Sequence, residues 1–153
     1  MKTLQLLFKT NHNLTPLLVR LTLGIVMFAH GAQLALGWFG GYGYSATMGF
    51  FTQQMHIPAL FAFLAIAAEF AGSIGLIIGS LSRVAAFGIA ATMVVAVLLG
   101  HIGNGFFMNW SGTQKGEGFE YHLLAIALAL VVMINGAGKW SLDGLVVRSA
   151  EKR

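Results

Sequence analysis

The chain has 153 residues, 57% of them hydrophobic and only 9% charged, with a mean hydropathy of +0.77; so little polar surface cannot coat a water-soluble domain, and lipid is the expected solvent. It has no cysteine, which excludes disulfide scaffolds, thiol relays, iron–sulfur clusters and cysteine-based zinc sites, and with them dithiol–quinone oxidoreductases. The net charge of +4 comes from basic residues that stand singly at the ends of apolar runs, where they act as topology signals and not as a nucleic-acid surface.

Residues 1–15 form a polar leader with Lys2, Lys9 and His12. The apolar run behind it, 16–36, is too long for a signal peptide and has no small-residue cleavage site, so it is expected to remain as a first membrane span. Residues 37–57 are a Gly-rich, aromatic loop. Trp38, Phe39, Tyr42 and Tyr44 suit an interfacial belt, and 46–55 is expected to form a short helix lying on the membrane with Met48, Phe51 and Met55 inward. Two further spans follow at 58–79 and 83–103, each about the 20 residues a bilayer requires. The first of these carries Ala65, Ala68, Gly72, Gly75 and Gly79 at helical spacing, which lets a neighbouring helix approach closely. A second outer loop, 104–119, holds Phe106, Phe107 and Trp110, and a last span runs over 121–138 before the tail 139–153.

Backbone groups in hydrocarbon must be satisfied within the chain, and strands of alternating polarity are missing from the pattern, so the spans are helices. Eight of the nine Lys and Arg fall on one side of these spans and only Lys115 on the other. The positive-inside rule therefore puts both termini in the cytoplasm. The expected fold is all-α: a transmembrane four-helix bundle, N-in and C-in, with a short interfacial helix in the first outer loop, and a single membrane domain over 1–153.

Few side chains can carry chemistry, and their depth follows from about 1.5 Å of rise per residue. His30 lies roughly 20 Å above the inner face, with Gln33 one turn further out, and Glu69 lies roughly 16 Å below the outer face, near the midplane. His101 is near the outer end of the third span with Asn104 one turn beyond, and Glu120 and His122 stand where the fourth span enters. All four spans thus bring polar residues to the outer half. An ionised carboxylate at the midplane costs at least about 2.5–3.5 kcal/mol, so Glu69 is expected to be protonated, paired or in a wet cavity. The plainer readings are packing hydrogen bonds for His30 and His101, a structural carboxyl for Glu69 and solvated helix ends for Glu120 and His122. Arg20 can snorkel to the inner surface, Asn135 can bridge two helices, and the methionines can pack.

Histidines on different helices are what a bis-His haem needs, but no spacing motif supports haem or another metal here. A quinone asks for less: a hydrogen-bond donor for each carbonyl, a proton-exchanging group and an apolar slot for the tail. His30, Gln33, Glu69 and His101 supply the first two.

Several runs carry a family resemblance: Arg20-Leu-Thr-Leu-Gly24, His30-Gly31-Ala-Gln33, Gly37-Trp-Phe-Gly-Gly41, Ile57-Pro58, Glu69-Phe-Ala-Gly72, Gly79 and Arg83, then Gly118-Phe-Glu120-Tyr121 and Gly136-Ala-Gly138-Lys-Trp-Ser141-Leu-Asp143. Over about residues 14–145 the chain resembles the DoxX family of small four-helix membrane proteins. The resemblance implies membrane redox work: some members resemble the quinone-reducing subunits of thiosulfate oxidation, and others join oxidoreductase assemblies that handle thiol or oxidative stress. Where the family often has Lys after the His-Gly-x-Gln run, this chain has Leu34, so a role of that lysine in holding an anionic substrate or a quinone carbonyl is missing.

The expectation is a quinone-linked redox subunit in a bacterial inner (plasma) membrane. In it Glu69, His30 and His101 would be catalytic, and Gln33, Asn104, Glu120 and His122 would complete a cofactor-binding set that holds no metal. Glu120 with His122 would link the site to the outside. Electrons would come from a redox partner subunit or external donor, and homo-oligomers are compatible with the pattern. The rivals are a non-catalytic anchor or assembly subunit of an oxidoreductase complex and a small-molecule transporter, for which short helices without breaks or repeats offer little support.

Overall fold

A computed structural model describes residues 8–11 and 13–151. Lys2, His12, Lys152 and Arg153, part of the basic and polar tails expected from the sequence, lie outside the described residues. Every regular element among the described residues is helical. Helix α1 spans Leu14–Leu36, with Pro16 in its first turn, where a missing N–H costs no hydrogen bond. It stops at Gly37, whose φ of 74° closes the helix in the left-handed region. Helix α2, Gly43–Gly49, continues as a wider π turn over Phe50–Gln54. Helix α3 is Ala59–Ile78, and α4 is Ser82–Ala96, prolonged by a π turn at Val97–His101 and a tight turn at Ile102–Asn104. Helix α5 is Glu120–Asn135, and α6 is Leu142–Glu151.

The stretches Leu14–Leu36, Ala59–Ile78 and Ser82–Asn104 are long and apolar enough to cross a membrane. The fourth run differs from the expected 121–138. Gly136 and Gly138, both at φ 76°, end α5 at Asn135, which leaves 16 residues, or about 24 Å against a hydrocarbon core of about 30 Å. The first-loop helix also departs from expectation. It starts at Gly43 instead of Ala46, and its π turn packs on α3.

The four long helices pack in a ring, α1 on α3, α3 on α4, α4 on α5 and α5 back on α1. Leu23, Met27, Leu76, Ile89, Met93 and Val132 form the core with Ala86, Ala90, Ala125 and Ala129, whose small side chains bring the backbones close. The outer surface is apolar. Leu18, Ile25, Leu60, Phe61, Phe87, Leu98, Leu124 and Ile134 are 60–73% exposed, which water would penalise and lipid does not.

One end of the ring is tied by Arg20. This side chain does not snorkel: it is 1% exposed. Its Nε donates to the carbonyl of Ala137 at 2.7 Å, Nη1 to Leu76 and Ile77 at 2.6 Å each, and Nη2 to Trp140 at 2.7 Å and Lys139 at 3.3 Å. The carbonyls that end α3 have no partner inside their own helix, and a buried fork of N–H groups satisfies them better than a trip to water would. Asp143 completes the joint by accepting from the backbone N–H of Leu81 and Ser82, where α4 begins. Arg83 donates to the carbonyls of Met133 and Ile134 at the end of α5. Asn135 bonds within α5, to the Val131 carbonyl, and not across helices as expected. Lys9, Arg20, Arg83, Lys139 and Arg148 all belong to this basic end, and Lys115 lies in the loop between α4 and α5 at the opposite end.

Candidate functional site

Gly31 sets the geometry of the opposite end. A Cβ there would sit 2.5 Å from the backbone of Glu69 and Phe70, so only glycine lets α1 lie against α3 at this level. The contact puts His30 and Glu69 on one cavity. Toward the basic end, α3 and α4 touch through small residues, Gly72 opposite Ala85 and Gly88 opposite Ala68. One to two turns beyond, Ala65, Thr92 and Ala96 line open space instead.

The cavity measures about 450 Å³. It is walled by the C-terminal half of α1, the N-terminal half of α3, the outer half of α4 and the start of α5, with Phe50, Phe51 and Met55 of the first loop across it. His30, Gln33, Glu69, His101 and His122 all line it. The His101 and His122 rings lie 4.2 Å apart, centroid to centroid, and Tyr121 sits 5.5 Å from His30 and 5.6 Å from His122. His101 Nδ1 lies 2.9 Å from the Glu117 carbonyl, a pure acceptor, so Nδ1 carries a proton, and in the neutral ring Nε2 keeps its lone pair. His122 is buried and its Nδ1 has no hydrogen-bond partner among the described residues. Glu69 is 7% exposed, and its carboxyl bonds to none of the described residues. The carboxyl opens onto the cavity, where a polar ligand atom can meet it.

Two residues expected at the site are turned elsewhere. The Glu120 carboxylate accepts from the Met108 N–H at 3.0 Å, and the Asn104 amide donates to the carbonyls of Gly100 and Glu117; neither lines the cavity. Both brace the loop between α4 and α5. Three polar lining residues fall outside the expected set: Tyr121, Glu117 and Thr92. Tyr121 was within reach of sequence reasoning, since it stands between Glu120 and His122 at the mouth of the fourth helix. Glu117 was hidden in a loop whose fold depends on its carboxylate accepting from the Asn109 N–H.

The pairing of His101 with His122 leaves no room between them for a haem. Among the described residues no group of three or more His, Asp or Glu side chains is spaced to hold a metal ion.

The family model described as DoxX matches residues 15–102. The chain belongs to the DoxX family. No curated protein and no solved structure matches it. Membership and three apolar spanning helices together make this DoxX protein a membrane protein. The matched stretch holds Arg20, His30, Gly31, Gln33, Glu69, Gly79, Arg83 and His101, so it covers Arg20 with its α3 partners and three walls of the cavity. The DoxX match stops short of α5, which contributes Tyr121 and His122.

Proposed function

We propose that this DoxX protein crosses a bacterial inner membrane four times with both termini in the cytoplasm, and that its cavity receives the head of a quinone as part of a redox system. The carrying observation is an apolar chamber of about 450 Å³ on which His30, Glu69, His101 and Tyr121 converge while the Glu69 carboxyl bonds to none of the described residues. That volume falls in the range of about 300–1,000 Å³ typical of small-molecule sites. The fourth crossing is supported by Leu124 and Ile134, which leave both ends of α5 exposed and apolar; local thinning of the bilayer accommodates a helix a few ångströms short. The orientation rests on the gathering of Lys9, Arg20, Arg83, Lys139 and Arg148 at one end, with Lys115 at the other.

The residues fit such a ligand. A quinone, when bound, supplies the two-electron, two-proton acceptor chemistry that these side chains lack. His101, held through Nδ1, presents Nε2 as an acceptor when the ring is neutral and as a donor when it is charged, so it gives or takes a proton at a ligand oxygen. The Tyr121 hydroxyl donates to the Met27 sulfur at 3.4 Å, a weak acceptor that a ligand oxygen displaces. Glu69 holds a proton in reserve on the facing wall, and His30 with Gln33 completes that wall. Glu117, exposed on the lining, takes the outward-linking place first assigned to Glu120. Electrons arrive from an external donor or a partner subunit.

The test is direct. Protein purified in nanodiscs is extracted for bound lipids and quinones and titrated with a quinone analogue. Wild type should bind, and His30→Ala and Glu69→Gln should each weaken binding about tenfold or more, the worth of one good hydrogen bond to a charged or ionisable group. A wild type that binds no quinone sinks the proposal, as do variants that bind unchanged. If instead the variants only lower folded yield and no ligand is found, the anchoring role takes its place.

A further inference from the structure

The cavity has two rims of opposite chemistry. One is polar, at Glu117, which is exposed and belongs to the second outer loop. The other is apolar: Phe50, Val95 and Leu99 line the cavity and are 47%, 45% and 55% exposed. A side chain that is both cavity wall and outer surface marks an opening. Its position follows from the packing already described. Small residues hold α3 and α4 together only as far as Ala68 and Gly88, and beyond that level Ala65, Thr92 and Ala96 face the chamber. The π turns of the first loop and of α4, at Phe50–Gln54 and Val97–His101, flank this gap. Leu98, beside it, is 60% exposed on the same apolar surface as the lipid-facing side chains of α3 and α4.

We infer that the gap between the outer ends of α3 and α4, edged by Phe50, Val95 and Leu99, is a lateral portal through which a lipid-dissolved amphiphile enters the cavity and in which its long apolar tail stays. The polar head then meets His101, Tyr121 and Glu69, while the tail keeps contact with lipid and is never desolvated from water. A water-borne solute gains nothing from an apolar doorway. For the identity of the head the inference rests on the quinone proposal; the route stands on the portal alone.

Because the chain has no cysteine, Ala96→Cys places a single thiol on the chamber wall. In nanodiscs this variant is treated with a maleimide bearing a long alkyl chain, dissolved in the lipid, and separately with a charged maleimide confined to water. The alkyl reagent should react faster, and adding Leu99→Trp should slow it at least tenfold. A thiol at Leu124, on the lipid-facing surface of α5, should react at the same rate with or without the plug. Val95→Phe is a second plug at a position equally open to lipid. Alkyl-maleimide rates untouched by either plug, or faster reaction with the charged reagent, overturn the portal. In the plugged protein a long-tailed quinone analogue should bind at least tenfold more weakly and its tail-less head within twofold of wild type; equal losses for both also overturn it. Failure of wild type to bind any quinone condemns the ligand assignment and leaves the thiol rates to decide the route.

Discussion

Arg20 is charged, buried and fully employed, a combination that survives only because all of its N–H groups find carbonyls. Arg20→Ala would leave the ends of α3 and the α5–α6 connection with unpaired carbonyls, at about 1–3 kcal/mol for each that water cannot reach. The variant in detergent should unfold at a clearly lower temperature. Arg20→Lys should recover only part of the loss, since an ammonium cannot fork. An Arg20→Ala midpoint equal to wild type would refute the bridging role. Asp143, which accepts from Leu81 and Ser82 at 2.7 and 2.9 Å, behaves as an N-cap supplied from another helix. Asp143→Ala should cost about 1–2 kcal/mol and Asp143→Asn less, measured by the same unfolding midpoint. Neither role was legible locally. The partners of Arg20 lie 56 to 120 residues away, so hydropathy sees only an arginine close enough to the inner face to reach it.

Between elements, the two glycines of α1 that face α3 make an internal comparison. A methyl at Gly24 would meet Ser73, Leu76 and Ile77 at 3.0–3.1 Å, which small shifts relieve; at Gly31 it would meet the Glu69 and Phe70 backbone at 2.5 Å, which only separation of the helices relieves. Gly31→Ala should therefore destabilise by about 1–3 kcal/mol, the range for overpacking, and weaken quinone binding by moving Glu69 from His30. Gly24→Ala should change stability less and leave binding intact. Comparable effects on binding at the two positions would break the link between helix approach and site. Helix positions were largely legible because length and apolarity decide them: α1, α3 and the Ser82–Asn104 stretch agree with the sequence reading to within two residues. The end of α5 was not, because hydropathy continues through Ala137 while Gly136 turns the chain away. Among the site residues, His30, Glu69, His101 and His122 were recoverable from depth alone. Depth does not say which way a side chain turns, and Asn104 and Glu120 turn to loop backbone.

At the scale of the whole molecule, the proposed orientation predicts opposite labelling of the two ends. With no native cysteine, Ser111→Cys in the second outer loop should react with a membrane-impermeant maleimide on intact cells. Ser149→Cys in α6 should react only after permeabilisation. The reverse pattern, or equal labelling of both, would overturn the four-crossing, N-in arrangement. The Arg20 joint also has a consequence in time. Its acceptors at Ala137 and Trp140 are 117 and 120 residues downstream, so while the chain is being synthesised the guanidinium has only the Leu76 and Ile77 carbonyls of α3 to fill. Closure waits for the last helix and the turn behind it. A chain cut short after α5, or carrying Arg20 with a damaged 136–143 segment, would keep a half-paired cation, its Nε and Nη2 without their carbonyls. Completeness of synthesis is thereby converted into a single buried charge that is either matched or left for the cell's surveillance of unassembled helices to find.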